Sequence, residues 1–220
     1  MMMTNATPAR PGFSRRLWRI AMGLRTIGAM VVGLLVLASG GGNSVLADND
    51  VRFSMTPDKA AYWRLVTDGV MGGLSKGELR FERDPDGTAY ARMTGTVSTA
   101  NNGGFIQFRA QFRDGVDFSK LIAAGGGTIP TGLRLQVRGN GETYFVHLRT
   151  RQNRRPWHYF AATFPTSSDW QDVELPLASF RHSDGVTSGA PQARDIISIG
   201  VVAYGRDHLA DISVAAMTIY

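Results

Sequence analysis

The chain has 220 residues, of which 43% are hydrophobic and 19% are charged, and its formal net charge is +6. This length and apolar content suit one folded domain and exclude an intrinsically disordered chain. Residues 1–47 contain five arginines and no acidic residue, so residues 48–220 have a net charge of only +1. A nucleic-acid partner is therefore not expected, because phosphate binding requires several uncompensated cations on one surface.

Residues 1–47 have the layout of a signal peptide. Arginines precede an apolar run of thirteen residues, 27–39, and the segment ends in Val45-Leu46-Ala47. This pattern predicts cleavage after Ala47. The uncharged stretch 26–47 can also serve as an uncleaved anchor, although the apolar run is short for spanning a bilayer. We expect a periplasmic domain over residues 48–220, or alternatively a domain anchored in the inner membrane and facing outward.

From residue 51 onward, short segments alternate apolar and polar residues with a period of two. One hairpin is predicted from residues 78–82 to 88–94 around a turn at 84–87, and a second from 133–137 to 144–148 around Gly139-Asn140-Gly141. A helical turn is predicted at 118–122 and an irregular loop at 181–192. Further strands are expected at residues 104–112, 157–164, 170–176, 196–204 and 211–219. Eight or more short strands predict an all-β sandwich or jelly roll.

Catalytic and metal-binding patterns are incomplete. Residues 73–77 match the G-x-S-x-G nucleophile elbow with Ser75 at its centre, but a strand-like alternation follows where that motif requires a helix. His147 and His158 can share a sheet face, yet no third zinc ligand is suitably spaced. The absence of cysteine excludes disulfides and thiolate metal sites. We therefore expect no enzyme, no metal and no cofactor.

The outward positions of the predicted strands form a candidate binding face. If the apolar residues of 133–148 point inward, arginines and aromatic residues share the opposite face with the outward side of strand 104–112. Guanidinium groups and aromatic rings together suit a sugar or a polypeptide. The alternative is an ordinary solvated sheet face. The residues that form this candidate face are Phe105, Gln107, Arg109, Gln111, Arg134, Gln136, Arg138, Phe145, His147 and Arg149.

Four spaced motifs follow one another along the chain: WRLVTDGVMGGLS at residues 63–75, NNGGF at 101–105, VRGNGETY at 137–144 and WQDVELP at 170–176. Together they resemble the complex I intermediate-associated protein 30 family. The resemblance covers residues 53–220. Several motifs in the same order are far more specific than any one of them.

The resemblance implies a galactose-binding-like β-sandwich without enzymatic activity. In mitochondria this family supports the assembly of respiratory complex I as a chaperone-like factor. The implied partner is a protein, either a membrane protein or an exported one, and a carbohydrate in the envelope is the alternative ligand. The motif residues implied as a binding surface are Asp68, Met71, Ser75, Asn101, Asn102, Arg138 and Tyr144. A structural role in turns is the alternative for the glycines, Asp68 and Asn102.

Overall fold

Strands dominate the computed structural model, which describes residues 51–112, 129–153 and 155–220. These residues lie in one compact unit, Ser44–Tyr220. The predicted signal peptide and the helical turn predicted at 118–122 lie outside the described residues. The strands are β1 (Val51–Ser54), β2 (Trp63–Thr67), β3 (Lys76–Arg83), β4 (Ala89–Val97), β5 (Phe105–Gln111), β6 (Gly132–Gly139), β7 (Thr143–Thr150), β8 (Phe160–Pro165), β9 (Gln171–Pro176), β10 (Arg181–His182), β11 (Ile196–Tyr204) and β12 (His208–Ile219).

The helical elements among the described residues are short 3-10 turns between strands. They cover Pro57–Tyr62, Asp68–Met71, Ala100–Asn102, Leu177–Ser179 and Ala193–Asp195. No helix in the described ranges is both long enough and apolar enough to cross a membrane.

Two antiparallel sheets form a sandwich. The first sheet has the order β3-β4-β12-β6-β9, and β1 also pairs with β12. The second sheet has the order β10-β8-β7-β11-β5-β2. The inward side chains of both sheets form one hydrophobic core, in which Leu135, Phe108 and Val201 are fully buried. The all-β sandwich predicted from period-two alternation is confirmed.

The five strands predicted singly all exist within a few residues of the expected bounds. Strands β1, β2 and β10 were not predicted, because each has five residues or fewer and shows too little alternation for a pattern. The loop predicted as irregular at 181–192 begins with the two residues of β10 and is otherwise free of strands.

The first predicted hairpin is confirmed, because β3 and β4 pair along their length from Lys76–Thr96 to Arg83–Ala89. The second is wrong. Strand β6 pairs with β12 and β9 in the first sheet, whereas β7 pairs with β11 and β8 in the second. The turn at 139–141 therefore leads the chain from one layer of the sandwich to the other.

This crossing divides the predicted binding face. Arg134, Gln136 and Arg138 lie on the outer side of the first sheet. Arg109, Phe145 and Arg149 lie on the outer side of the second sheet, because β5 and β7 both flank β11. The prediction that Arg138 and Arg149 share one surface is thus wrong.

Candidate functional site

A buried carboxylate organises the loop between β2 and β3. Asp68 is 0% exposed. Its two oxygens accept hydrogen bonds from Ser75 N (3.0 Å), Ser75 Oγ (2.5 Å), Gly104 N (2.6 Å) and Phe105 N (3.2 Å). Burial alone raises the pKa of Asp68, but these four hydrogen bonds outweigh it and hold the pKa below its ordinary value. Asp68 therefore fixes both ends of its own loop to the start of β5.

Two glycines are required by the close packing around this carboxylate. A Cβ atom on Gly73 would lie 2.3 Å from Asp68 Cγ, and one on Gly103 would lie 2.4 Å from Asp68 Oδ2. Neither distance is possible for a real side chain. The GG pairs of the 63–75 and 101–105 motifs are thus explained in part by space for Asp68.

Three apolar side chains project from this fixed loop into solvent. Val70 is 76% exposed, Met71 63% and Leu74 55%. We call these three residues the apolar tip. Thr67 Oγ1 accepts a hydrogen bond from Gly69 N (3.2 Å), and Gly72 ends the turn in a left-handed conformation. The loop backbone is therefore held in place while its apolar side chains remain uncovered.

Asn101 and Asn102 lie beside the apolar tip. Both are exposed, and both have positive φ angles, 56° and 57°. Asn101 Nδ2 donates a long hydrogen bond to Gly72 O (3.4 Å). Asparagine tolerates this backbone conformation better than most residues. The structure thus brings Asp68, Met71, Ser75, Asn101 and Asn102 together, with Asp68 and Ser75 buried beneath the other three.

A third loop, residues 204–208, completes this end of the sandwich. Thr99 N and Thr99 Oγ1 each donate to Asp207 Oδ1 at 2.7 Å, and Gly205 N donates to Gly104 O. The Thr99 hydroxyl and amide keep the pKa of Asp207 below its ordinary value. The three loops form one connected surface.

Arg138 belongs to a different structure, on the outer side of the first sheet. Its guanidinium binds both oxygens of Asp84 at 2.8 and 2.9 Å. Its guanidinium carbon also lies over the rings of Tyr90 (4.8 Å) and Trp170 (4.5 Å), which meet edge to face at 5.7 Å, and Trp170 Nε1 donates to Asp84. These contacts hold the pKa of Asp84 below its ordinary value, with the Arg138 hydrogen bond as the largest cause. Arg138 is engaged within the fold.

The outer side of the second sheet carries an aromatic cluster. The Tyr204 ring lies 5.6 Å from Phe145 and 5.7 Å from His147, and His147 stacks on Tyr159 at 3.9 Å. His147 Nε2 is buried without a hydrogen-bond partner among the described residues. Burial lowers the pKa of His147 to about 3, so the imidazole is neutral at physiological pH. Arg109 and Arg149 lie on this same face.

Residues 51–208 match the complex I intermediate-associated protein 30 family. The match spans well over half of the chain. The chain belongs to this family. No curated protein matches it significantly.

Two solved structures with a similar fold are carbohydrate-binding modules of Clostridium thermocellum. One is a family 11 module in complex with a β-1,3-1,4-mixed-linked tetrasaccharide, with 16% identity, a TM-score of 0.56 and coverage of 77% of this chain and 94% of that one. The other is the family 11 module of a cellulosomal cellulase, with 16% identity, a TM-score of 0.53 and coverage of 72% and 86%. At this identity the likeness is one of fold alone, a β-sandwich of two antiparallel sheets.

Three of the family-motif residues have structural roles instead of surface positions: Asp68, described above, Tyr144 and Ser75. Tyr144 is 0% exposed, donates to Asn140 Oδ1 (2.8 Å) and accepts from Asp211 N (2.8 Å). Burial is the largest cause that raises the pKa of Tyr144 to about 12. Ser75 is 6% exposed, and its Oγ also accepts from Ser98 N (3.0 Å). The prediction that Asp68, Tyr144 and Ser75 lie on a binding surface is therefore corrected, because all three are buried.

The elbow motif at Ser75 leads into strand β3, as the sequence predicted, and not into a helix. In the described part of the chain, the side-chain and backbone groups bonded to Ser75 Oγ belong to Asp68 and Ser98. Residues 51–112, 129–153 and 155–220 also contain no group of three or more His, Asp or Glu side chains placed to hold a metal ion.

Val70 and Leu74 were not among the predicted site residues, although Met71 between them was. The sequence could have indicated these two residues, because apolar side chains within and directly after the glycine-rich stretch 69–73 cannot all reach the core from one tight turn. Tyr159 and Tyr204 of the aromatic cluster were not predicted either. Their meeting depends on the pairing of β7 with β8 and β11, which no local pattern reveals.

Proposed function

We propose that this family member is an exported, non-catalytic domain that binds a protein partner and acts as an assembly or chaperone-like factor. The observation that supports it most directly is the apolar tip, three exposed apolar side chains on a loop whose backbone is fixed by the buried Asp68. Exposed apolar groups favour protein contacts. A loop that is already ordered loses less conformational entropy when it binds.

The sequence of the N-terminal segment supports the proposed export. Arginines, an apolar run and Ala47 in this order suit export, and the mature domain has a net charge close to zero. The partner is then an exported protein or the outward-facing part of a membrane protein. A reporter enzyme fused after Asp50 should be active in the periplasm, and cytoplasmic activity would overturn this location.

The binding proposal is tested by serine substitutions. The full chain is expressed with a photo-crosslinker near the loop, membranes are solubilised in detergent, and crosslinked proteins are identified by mass spectrometry. Val70→Ser with Met71→Ser should reduce a specific crosslinked complex by about tenfold, the effect of losing two central apolar contacts.

The matched control is Ile129→Ser with Val186→Ser. These two side chains are 76% and 86% exposed, and they lie outside the apolar tip. The control should retain the complex. Equal recovery with both double variants would mean that the apolar tip does not bind the partner.

Carbohydrate binding is the second candidate function. It is supported by the outer side of the second sheet, which carries Arg109 and Arg149 as well as Phe145 and Tyr204. Guanidinium groups and aromatic rings on one face suit a hydroxyl-rich ligand. The family 11 modules share the fold, although function depends on the site and not on the fold. Saturable glycan binding that is lost in Tyr204→Ala and retained in Tyr62→Ala would favour this candidate.

A further inference from the structure

A cavity of 330 Å³ lies at the opposite end of the second sheet from the apolar tip. It opens where β7 ends and β8 and β11 begin, whereas the apolar tip lies near the start of β5. We call it the histidine pocket, and the lining residues used below are Gln152, Asn153, His158, Phe160, His182 and Asp195. Its volume falls within the range of small-molecule sites, about 300–1,000 Å³.

One wall of the histidine pocket is a buried polar network. Asn153 is 6% exposed, and its Oδ1 accepts from Thr150 N (2.7 Å) and Thr150 Oγ1 (3.0 Å). The amide Nδ2 then faces His182 Nε2 at 2.9 Å. His182 Nδ1 lies 2.8 Å from Asp184 Oδ1. Because these bonds join the segments 150–153 and 182–184, the wall is rigid before any ligand arrives.

The Asp184 carboxylate is saturated by its own loop. It accepts from Val186 N, Thr187 N and Thr187 Oγ1 at 2.9, 2.8 and 2.6 Å. These contacts, with the Thr187 hydroxyl first, hold the pKa of Asp184 far below its ordinary value. Asp184 supports the wall and is not free to bind a metal ion.

Other polar groups of the histidine pocket remain available. The His158 ring makes edge contacts with the rings of His182 (5.3 Å) and Trp157 (6.3 Å), and it has no hydrogen bond to another described residue. Gln152 Nε2 donates to Asp195 Oδ2 (2.7 Å), and this bond leaves Gln152 Oε1 and Asp195 Oδ1 as acceptors. Phe160, a core residue that is 8% exposed, adds a small apolar surface next to these groups.

The charge of the side chains that line the histidine pocket indicates the charge of the ligand that it can bind. Among the described residues, the side chains that line the cavity include two carboxylates, Asp184 and Asp195, and neither Lys nor Arg. A phosphate or carboxylate ligand would meet like charge there, and none of these described lining residues supplies a compensating cation. A sugar hydroxyl, by contrast, can donate to Asp195 or Gln152 and accept from His158, while a C–H group of the ring can contact the small exposed part of Phe160.

An exposed tryptophan continues this surface beyond the cavity. Trp157 is 61% exposed, lies next to His158 with ring centroids 6.3 Å apart, and has the Arg155 guanidinium 5.9 Å from its ring. We propose that the histidine pocket binds one unit of a neutral oligosaccharide and that Trp157 supports the adjoining unit. This site is separate from the apolar tip and from the aromatic cluster of the second sheet.

The test uses the full chain, purified in detergent, on an array of neutral and uronic-acid-containing oligosaccharides. The best neutral glycan is then titrated by isothermal calorimetry. His158→Ala and Trp157→Ala should each weaken binding by about tenfold or more, as expected for a lost central contact. Tyr62→Ala, which removes an aromatic ring of equal exposure (62%), should leave binding unchanged.

Several outcomes would overturn the proposal. The first is that no neutral glycan shows saturable binding. The second is that the protein binds only acidic glycans, or only spermidine, which serves as a cationic probe. The third is that glycan binding is lost in Tyr204→Ala but kept in Trp157→Ala. Thermal unfolding of each variant excludes loss of fold as the cause. Val70→Ser with Met71→Ser should not alter glycan binding, so a failure here is distinguishable from a failure of the protein-binding proposal.

Discussion

The Ser75 hydroxyl lies 2.5 Å from a carboxylate oxygen of Asp68 in the interior of the protein. This bond joins the two ends of the β2–β3 loop. The same carboxylate also binds Gly104 N and Phe105 N at the start of β5. One side chain thereby sets the position of the apolar tip relative to the sheet. Loss of its charge should consequently affect stability as well as partner binding.

We expect Asp68→Asn to lower the free energy of unfolding at pH 7 by about 2–4 kcal/mol, because an amide cannot accept the four hydrogen bonds that a buried carboxylate accepts. Asp172→Asn, on the exposed edge of β9, should change it by less than about 0.5 kcal/mol. Urea denaturation followed by tryptophan fluorescence measures both.

The same variant should also differ in its response to acid. The pKa of Asp68 lies below its ordinary value of 3.8 in the folded protein. Its contribution to stability is therefore complete above about pH 3.8 and is lost as the pH falls through the folded value. Asp68→Asn should lack this part of the acid dependence. An unchanged stability at pH 7 would contradict the role assigned to Asp68.

Position 73 requires glycine because the Asp68 side chain leaves no room for a Cβ atom there. Gly73→Ala should destabilise the protein by about 3 kcal/mol, because the new methyl group displaces Asp68 from its hydrogen bonds. Gly87→Ala is the control. Gly87 has a φ angle of 90°, but no atom lies within 4 Å of the position that a Cβ would occupy, so only about 1 kcal/mol of backbone strain is expected. Equal losses in the two variants would show that packing against Asp68 is unimportant.

The contacts of Arg138 with two aromatic rings and with both oxygens of Asp84 predict that arginine cannot be replaced by lysine here. Arg138→Lys should lower the free energy of unfolding by about 1–2 kcal/mol, since an ammonium group cannot present a planar face to Tyr90 and Trp170 or bind Asp84 through two nitrogens. Arg80→Lys, in an exposed pair with Glu78, should have almost no effect. Urea denaturation measures the free energy of unfolding of both variants. An equal loss of stability in the two would contradict the role assigned to the ring contacts of Arg138.

Two turns that are built from the same types of residue show which features of the fold the sequence predicts and which it does not. Residues 84–87 and 139–141 are both rich in turn residues, and Gly87 and Gly141 both have positive φ angles. In the first turn, Asp84 N bonds to Thr88 O and closes a hairpin. In the second, Gly139 N bonds to Ser167 O and Asn140 N bonds to Asp211 O. Turn residues determine local backbone angles, but distant segments determine which sheet receives the next strand.

The candidate site shows the same limit. The sequence motifs identify Asp68 and the GG pairs as a set. The burial of Asp68, however, depends on its contacts with Gly104 and Phe105, which lie 36 and 37 residues away along the chain. Arg138 and Arg149 were predicted to lie together because both alternate outward along adjacent strands. Alternation shows which side of a strand faces the core, but it does not show which layer of a sandwich the strand joins.

His147 Nε2, which is buried without a hydrogen-bond partner among the described residues, predicts a loss of stability that begins as the pH falls below about 6.5, before ordinary carboxylates are protonated. The pKa of His147 falls from 6.5 to about 3 on folding. Between these values the unfolded chain binds a proton and the folded chain does not, so stability falls as the pH is lowered through this range. At pH 5 this group should cost about 2 kcal/mol relative to pH 7 or above.

His147→Phe should remove this cost, because phenylalanine cannot be protonated and leaves no buried nitrogen without a partner. Its ring can keep the stack on Tyr159, so stability at pH 7 should stay equal or rise by about 1 kcal/mol. Urea denaturation at pH 5 and pH 7 gives the difference for each protein. If His147→Phe loses as much stability as the wild type between these two values, the imidazole is not the group responsible, and its burial beneath Tyr159 and Tyr204 does not set the acid response.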